Sequence, residues 1–299
     1  MNRELIILKD SIPVQQLYQI RRGLTQWEIV LYDDINACNP DVSNLDVSNP
    51  GVSNSGASAY NKVRRVLLVT GRQDNMEYDG YYEEYDIPYF GYGGDYHGDA
   101  RYVALDEWAV TDRFLDTVWA RYNDLPLTMF RTARLTAREI TVEDLPKLYE
   151  LYAYPGMTEF VEPLYEYERE VEFTSDYIRN MYGFYGYGLW LIFENATGKL
   201  IGRIGLENRQ IDGQTQVELG YMVGSPFWRR GYAKEMCDAI LEYAFAEDGL
   251  NLEKVALCTT RDNKPSKRLA SKLGFKLYAT NKHDNLNLYY KYRNRTEQH

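Results

Sequence analysis

Hydrophobic and polar positions along the first 125 residues follow two different periods. Three short apolar runs, at residues 5–8, 28–31 and 66–69, are typical of buried strands. Two segments, at residues 13–22 and 111–122, place apolar side chains three and four positions apart, as an amphipathic helix does. Strands that alternate with helices predict a small α/β unit.

The rest of the chain shows the same two periods in longer segments. Residues 189–193 and 200–206 indicate two strands joined by a tight turn at residues 195–198. Residues 232–246 carry an apolar stripe at helical spacing, which predicts a helix with one buried face. The stripe consists of Met236, Cys237, Ile240, Leu241 and Ala244.

Length and composition narrow the class of protein. The 299 residues suggest about two domains, and a net charge of −10 argues against nucleic acid as the main partner. Three cysteines, Cys38, Cys237 and Cys258, are too few for a disulfide framework and indicate a reducing compartment. No apolar run approaches the ~20 residues of a membrane span, so we expect a cytoplasmic protein without membrane contact. Three histidines and no Cys-x-x-Cys pair argue against a metal site.

A near-repeat of turn-forming residues interrupts the N-terminal unit. Asp41-Val-Ser-Asn, Asp46-Val-Ser-Asn and Gly51-Val-Ser-Asn follow one another at five-residue spacing. Its low apolar content does not offset the entropy lost on ordering, so we expect a flexible loop at residues 38–58.

The most informative segment runs from residue 217 to residue 236. An apolar strand leads through a short turn into a basic helix start that contains Arg229, Arg230 and Gly231. The first turn of a helix has N–H groups without intrahelical partners and carries the positive end of the helix dipole. Gly231 lets the backbone approach an anion closely, and the two arginines add charge. This segment therefore predicts a phosphate-binding helix start.

The motif Trp228-Arg-Arg-Gly-Tyr-Ala233 resembles the acetyl-CoA loop of the GNAT acetyltransferase superfamily, and a tryptophan in its first position is similar to the branch of ribosomal-protein N-terminal acetyltransferases. Residues 132–145, 263–266 and 272–275 resemble further landmarks of the family, in the family's order. The resemblance covers about residues 130–293. It implies a mixed, mostly antiparallel sheet flanked by helices at residues 126–299, and it leaves residues 1–125 as a smaller α/β domain of unknown function.

The resemblance implies acetyl-CoA as cosubstrate and assigns the residues that hold it. The diphosphate would lie on the amides of residues 229–234, the pantetheine along the main chain of the preceding strand, and Asn263 would hold the cofactor arm. A backbone N–H near Met222 or Val223 would stabilise the developing oxyanion. The expected cofactor-binding residues are Tyr221, Met222, Val223, Arg229, Arg230, Gly231, Tyr232, Ala233, Lys234 and Asn263.

Acetyl transfer to an amine also needs a base, because a primary amine is protonated at neutral pH. Glu218 is the first candidate and Glu207 the second; either could equally be an ion-paired strand residue. Many relatives place a tyrosine near the leaving thiolate, but this chain has Ala270 at that position. Ser266 is the candidate donor there, with a helix-capping role as the alternative.

The expected function is transfer of an acetyl group to a primary amine by direct attack. The acceptor can be a protein N-terminus, a small amine or an amino sugar, and the sequence leaves it and the oligomeric state open. One alternative is a non-catalytic acyl-CoA sensor whose N-terminal domain is the working module. Another is phosphatase chemistry at Asp33, Asp34 and Thr70, although the spaced aspartate pair of such enzymes is missing. The aromatic run at residues 182–190 fits either an acceptor slot or hydrophobic packing.

Overall fold

The computed structural model describes residues 3–8, 11–32, 64–70, 88–98, 100–211, 213–281 and 285–294. The chain divides into two compact units, Met1–Leu125 and Pro126–His299. That these units are the two domains expected at residues 1–125 and 126–299 stays a prediction. The near-repeat and the expected loop at residues 38–58, together with Asp33 and Asp34, lie outside the described residues.

The N-terminal unit is a parallel sheet with one described helix between its first two strands and another after its last strand. Its five described strands pair in the order β2-β1-β3-β4-β5, and every neighbouring pair is parallel. The apolar runs form its core, in which Leu5, Val66 and Leu115 are fully buried. The elements are β1 (Arg3–Leu8), α1 (Val14–Gly23), β2 (Glu28–Tyr32), β3 (Arg64–Thr70), β4 (Tyr89–Tyr92), β5 (Val103–Ala104) and α2 (Asp112–Tyr122).

The C-terminal unit is an eight-stranded mixed sheet in the order β12-β13-β11-β10-β9-β8-β7-β6. Neighbouring strands are antiparallel except β10 and β11, which are parallel. The strands are β6 (Thr128–Arg131), β7 (Leu135–Arg138), β8 (Leu189–Glu194), β9 (Leu200–Ile211), β10 (Gln214–Val223), β11 (Lys254–Thr260), β12 (Lys276–Asn281) and β13 (Leu286–Tyr292).

In the described part of this unit, four α-helices flank the sheet, and a π-helix at Ile178–Tyr185 continues the second of them. The α-helices are α3 (Leu145–Tyr152), α4 (Tyr167–Tyr177), α5 (Tyr232–Phe245) and α6 (Lys264–Lys272). Short 3-10 turns at Val142–Asp144 and Ser225–Phe227 precede α3 and follow β10. This architecture confirms the expected α/β fold with a mixed, mostly antiparallel C-terminal sheet.

Helix α5 shows why the sequence forms this arrangement. Its five stripe residues are at most 2% exposed and pack into the main core with sheet residues such as Trp190 and Leu206. Burial of each large side chain stabilises the fold by roughly 1.5–3 kcal/mol. The apolar stripe therefore fixes which face of α5 meets the sheet, and with it the position of the helix start.

Candidate active site

Strands β10 and β11 diverge, and the gap between them is the central feature of the site. The two parallel strands pair only at Glu218 and Ala256 among the described residues, although β10 continues to Val223 and β11 to Thr260. The carboxyl-terminal half of β10 therefore has a neighbour on the β9 side and an open edge on the other.

The alternation of an antiparallel pair decides which residues of β10 face this gap. The N–H of Gly224, just after β10, donates to the carbonyl of Ile201 on β9, at 2.8 Å. The main-chain N–H and C=O groups of every second residue before it on β10, including Met222, therefore also point toward β9. Tyr221 and Val223 consequently turn their main-chain groups toward the gap, and the indole Nε1 of Trp228 donates to the Val223 carbonyl at 2.5 Å.

The loop from Trp228 to Gly231 closes one end of the gap and leads into α5. Arg229 and Gly231 both have left-handed backbone conformations, with φ of 63° and 82°. Glycine adopts this conformation without strain, whereas an arginine does so at a cost of about 1 kcal/mol or more. The loop is exposed at Arg229, Arg230 and Gly231.

The start of α5 leaves backbone N–H groups available for an anion. Gly231 occupies the N-cap position and has no side chain that could accept from the first turn. The first intrahelical bond runs from the N–H of Glu235 to the carbonyl of Gly231, at 3.1 Å. The N–H groups of Tyr232, Ala233 and Lys234 precede this bond and point out of the helix start.

Arg134 braces this loop, a role that sequence reasoning missed. Its Nη1 donates to the carbonyl of Arg230 at 3.0 Å, and its Nε donates to the carboxylate of Glu235 at 2.6 Å. The hydroxyl of Thr132 donates to the same carboxylate at 2.6 Å. Because Arg134 and Arg230 are 96 positions apart, no local pattern could have revealed the contact.

The charged side chains around the loop have different surroundings. The guanidinium of Arg230 lies 5.5 Å from the ring centre of Phe227. Lys234 pairs with Asp238 one turn later, at 2.6 Å. Tyr232 is buried beneath the guanidinium of Arg134, so its main chain rather than its ring is available to a ligand.

The carboxylate of Glu218 is held at the fork between β10 and β11. It accepts from the backbone N–H of Cys258 at 2.9 Å and pairs with Arg209 at 3.0 Å. A backbone N–H of β11 thus bonds to the Glu218 side chain instead of to the main chain of β10, at the point where the two strands stop pairing. This contact places the Glu218 side chain between the two strands where the gap begins.

The carboxyl of Glu207 lies opposite Glu218 in the register of β9 and β10, with a different environment. The hydroxyl of Tyr177 donates to its Oε1 at 3.2 Å. Its Oε2 lies 3.9 Å from the position that a Cβ on Gly220 would take. Burial raises the pKa of Glu207, and Glu218 adds to the shift, although Arg203, Arg209 and the hydrogen bond from Tyr177 oppose it.

Helix α6 brings Ser266 next to Tyr221. Asn263 is the N-cap of this helix, and its side chain accepts from the N–H of Ser266 at 3.0 Å. The hydroxyls of Ser266 and Tyr221 are 2.7 Å apart. Sequence reasoning gave Tyr221 a main-chain role only, and it missed this contact between residues 45 positions apart. Ala270 is fully buried.

Neither described cysteine is activated as a nucleophile. Burial raises the pKa of Cys237 far above its ordinary value, and Cys237 is fully buried. Burial and the neighbouring Glu218 raise the pKa of Cys258 to about 12. Among the described residues, no three His, Cys, Asp or Glu side chains are grouped to hold a metal ion. In the same part of the chain, no helix is long and apolar enough to cross a bilayer.

The aromatic run at residues 182–190 divides between core and surface. Tyr182 and Trp190 are at most 2% exposed and belong to the main core, whereas Phe184 is 80% exposed. Packing therefore accounts for part of the run, and its π-helical part presents an exposed aromatic edge.

Comparisons with known proteins agree with this arrangement. Residues 134–276 match a family model described as an acetyltransferase (GNAT) domain. The uncharacterised protein YkkB of Bacillus subtilis is 32% identical over 148 residues, which cover 49% of this chain and 84% of YkkB.

Two solved structures resemble the fold. An acetyltransferase from Agrobacterium tumefaciens is 27% identical, with a TM-score of 0.47, and the match covers 56% of this chain and 95% of that one. A ribosomal-protein-S5-alanine acetyltransferase from Vibrio fischeri is 15% identical, with a TM-score of 0.48 and coverage of 56% and 97%. The chain belongs to the GNAT acetyltransferase family and is a GNAT-family N-acetyltransferase.

Proposed function

We propose that the C-terminal unit transfers the acetyl group of acetyl-CoA to a primary amine by direct attack, without a covalent enzyme intermediate. The observation that carries this proposal is the continuity of the gap between β10 and β11 with the uncapped start of α5. An extended polar ligand with a diphosphate at one end fits this combination, because the strand edge offers main-chain groups and the helix start offers N–H groups.

This geometry supports the cofactor-binding assignments that the resemblance implies. The amides of residues 229–234 would hold the diphosphate, with Arg229 and Arg230 supplying charge beside it. The main chains of Tyr221 and Val223 face the gap and would pair with the amide-rich pantetheine. Met222 would contribute less than these two, because its main chain turns toward β9 and its side chain is buried in the main core. Asn263 would support the arm indirectly, since its side chain caps α6.

Glu207 is our proposed general base. Its Oε2 faces the space above Gly220 on the strand that borders the gap, and its raised pKa makes the carboxylate a stronger base. The carboxylate of Glu218 is already held by the Cys258 amide and by Arg209. We therefore reverse the order expected from the sequence: Glu218 keeps β10 and β11 apart, and it becomes the second candidate for the base.

Ser266 and Tyr221 are the proposed donors to the leaving thiolate. Their hydroxyls form a pair at the α6 side of the gap, so one hydroxyl can donate to the other while the second donates to sulfur. Burial raises the pKa of Tyr221, which keeps its hydroxyl protonated. This pair would take the place of the tyrosine hydroxyl that many relatives have at the position of Ala270.

Substitution of Ser266 by alanine is expected to lower kcat about tenfold, the value of one hydrogen bond of about 1–1.5 kcal/mol. Tyr221→Phe should have a similar effect, and the double variant should lose less than the product of the two, because the hydroxyls act as a unit. Steady-state rates with saturating acetyl-CoA measure this. Ser271→Ala, on the exposed side of the same helix, is the matched control. Unchanged turnover in both single variants would remove the pair from the mechanism.

Gly220→Ala is expected to leave the protein folded but to lower kcat/KM about tenfold or more. The added methyl would lie 3.1 Å from Cδ2 of Leu189, a flexible side-chain end that can shift, and it would fill the space before Oε2 of Glu207. Displacement of an attacking amine by about 1 Å can cost up to 100-fold. Gly94→Ala, where a Cβ meets nothing within 4 Å, is the control. Full activity with normal folding in Gly220→Ala would show that the amine does not approach there.

The proposed function is tested by release of free CoA thiol across a panel of amines, with product mass measured in parallel. The panel should contain N-terminal peptides, small polyamines and amino sugars. We expect one class to give thiol release together with a mass increase of one acetyl group. Binding of acetyl-CoA without release on any amine would instead favour a non-catalytic sensor.

A further inference from the structure

Arg203 is a buried arginine on β9 for which the cofactor assignments provide no role. The residue is 9% exposed, and its Nε is buried without a hydrogen-bond partner among the described residues. A charge removed from water costs several kcal/mol unless other groups compensate for it. An arginine at this position therefore calls for a function beyond packing.

Aromatic side chains from two helices surround the guanidinium. It lies 5.2 Å from the ring centre of Tyr177 in α4, and it makes a side-chain hydrogen bond with Tyr152 of α3. A cation over an aromatic face is stabilised more strongly when it is desolvated. These contacts compensate part of the burial cost and fix the guanidinium against the sheet.

Tyr177 connects this guanidinium to Glu207. Arg203 and Glu207 are four positions apart on β9, so both side chains extend from the same face of the sheet. The ring of Tyr177 packs near Arg203, while its hydroxyl donates to Oε1 of Glu207 at 3.2 Å. The same hydroxyl accepts from the N–H of Leu189 at 2.6 Å, which sets its orientation.

We propose that Arg203 is a positioning residue for the acetyl transfer: together with Tyr177, it keeps the Glu207 carboxylate ionised and oriented, with Oε2 toward Gly220. This inference rests on the proposed role of Glu207 as general base. Arg203 itself touches neither substrate nor reacting atoms in this scheme.

The charged groups around Glu207 determine in which direction its pKa changes when Arg203 is removed. Burial and Glu218 on β10 favour the neutral acid, whereas Arg203 and Arg209 on β9 and the hydrogen bond from Tyr177 on α4 favour the carboxylate. Arg203 is the strongest of the groups that lower the pKa of Glu207. Its removal therefore raises this pKa further, and the base is then protonated over a wider range of pH.

The test compares pH profiles of kcat/KM for the wild-type protein, Arg203→Met and Arg203→Lys. Arg203→Met is expected to move the acid limb upward by about one pH unit, so activity on that limb falls about tenfold and recovers at high pH. Arg203→Lys keeps the charge and should restore most of the wild-type profile. Arg131→Met, at an exposed position on the edge strand β6, is the control and should match the wild type. A uniform loss at every pH in Arg203→Met would overturn the inference.

Two further measurements separate this inference from the assignment of the base. The Glu207 carboxyl, assigned by comparison with Glu207→Gln in a ¹³C NMR titration, should titrate at higher pH in Arg203→Met; an unchanged titration overturns the inference. In a Glu207→Gln background, Arg203→Met should cause no further loss of rate. If Glu207→Gln alone keeps full activity, the proposed base is wrong, whatever the titration shows. If Arg203→Met does not fold, Tyr177→Phe takes its place in the pH profile and the titration, because it removes the hydrogen bond that Tyr177 donates to Glu207.

Discussion

Glu207→Gln is expected to lower kcat/KM by about two to three orders of magnitude, the usual contribution of general acid–base catalysis. Glutamine keeps the shape of the side chain and can still accept the hydrogen bond from Tyr177, but it cannot take a proton. Binding of acetyl-CoA should be unchanged, because Glu207 lies on β9, away from the start of α5. Steady-state kinetics and calorimetric titration with acetyl-CoA measure the two quantities separately.

Glu218→Gln is the matched comparison, since both residues occupy opposite positions on paired strands. The amide oxygen of glutamine can still accept from Cys258, and the lost ion pair involves a half-exposed Arg209, so we expect at most a severalfold loss of rate. A larger loss in Glu218→Gln than in Glu207→Gln would reverse the assignment of the base.

The pH dependence of the wild-type enzyme follows from the same carboxyl. A general base works only when it is ionised, so the rate falls as pH drops through its pKa. Because burial raises the pKa of Glu207, the acid limb of kcat/KM should lie above the ordinary range of a glutamate, which is near ~4.3. Glu207→Gln should abolish this limb and leave only the limb that belongs to the amine.

Gly231→Val is expected to raise the KM for acetyl-CoA by about tenfold or more, with a smaller effect on kcat. The position has φ of 82°, which a β-branched residue adopts only at a cost of about 1–3 kcal/mol. The added side chain would also approach Arg134, whose Nη2 lies 3.5 Å from the Cβ position. The loop would relax away from its conformation and displace the N–H groups of the helix start.

Gly198→Val is the control for backbone strain alone. Gly198 has φ of 67° in the turn between β8 and β9, and a Cβ there meets nothing within 4 Å. Both variants should lose similar stability in thermal unfolding, but only Gly231→Val should lose affinity for acetyl-CoA. Equal KM values in the two variants would show that the loop conformation does not matter for binding.

The sequence predicted the features that depend on neighbours along the chain. The structure confirms the helix predicted at residues 232–246. It runs from Tyr232 to Phe245, and its apolar stripe from Met236 to Ala244 is buried. The residues after Gly231 could be assigned to the start of a helix, because apolar side chains spaced three and four residues apart are typical of a helix and not of a strand. The two strands around the turn at residues 195–198 were indicated by apolar segments on either side of the turn-forming residues Asn-Ala-Thr-Gly.

The environments of the two glutamates could not be predicted, because they depend on contacts between distant residues. Glu218 meets the amide of Cys258, 40 positions away, and Glu207 meets Tyr177, 30 positions away. Alternation along a strand gives the two faces of a sheet but not what covers each face. The strand order β2-β1-β3-β4-β5 of the N-terminal sheet likewise depends on pairing between segments that are far apart in the chain, such as β1 and β3.

Acetyl transfer by the C-terminal unit depends on binding of a diphosphate to the backbone N–H groups of residues 229–234. Calorimetric titration of the full chain with CoA and, separately, with pantetheine, which lacks the diphosphate, measures this binding. We expect CoA to bind at least about 100-fold more tightly than pantetheine, a difference of about 2.7 kcal/mol, and Gly231→Val to remove most of the difference. Equal affinities for the two molecules, or no binding of CoA to the folded protein, would contradict a diphosphate site at residues 229–234.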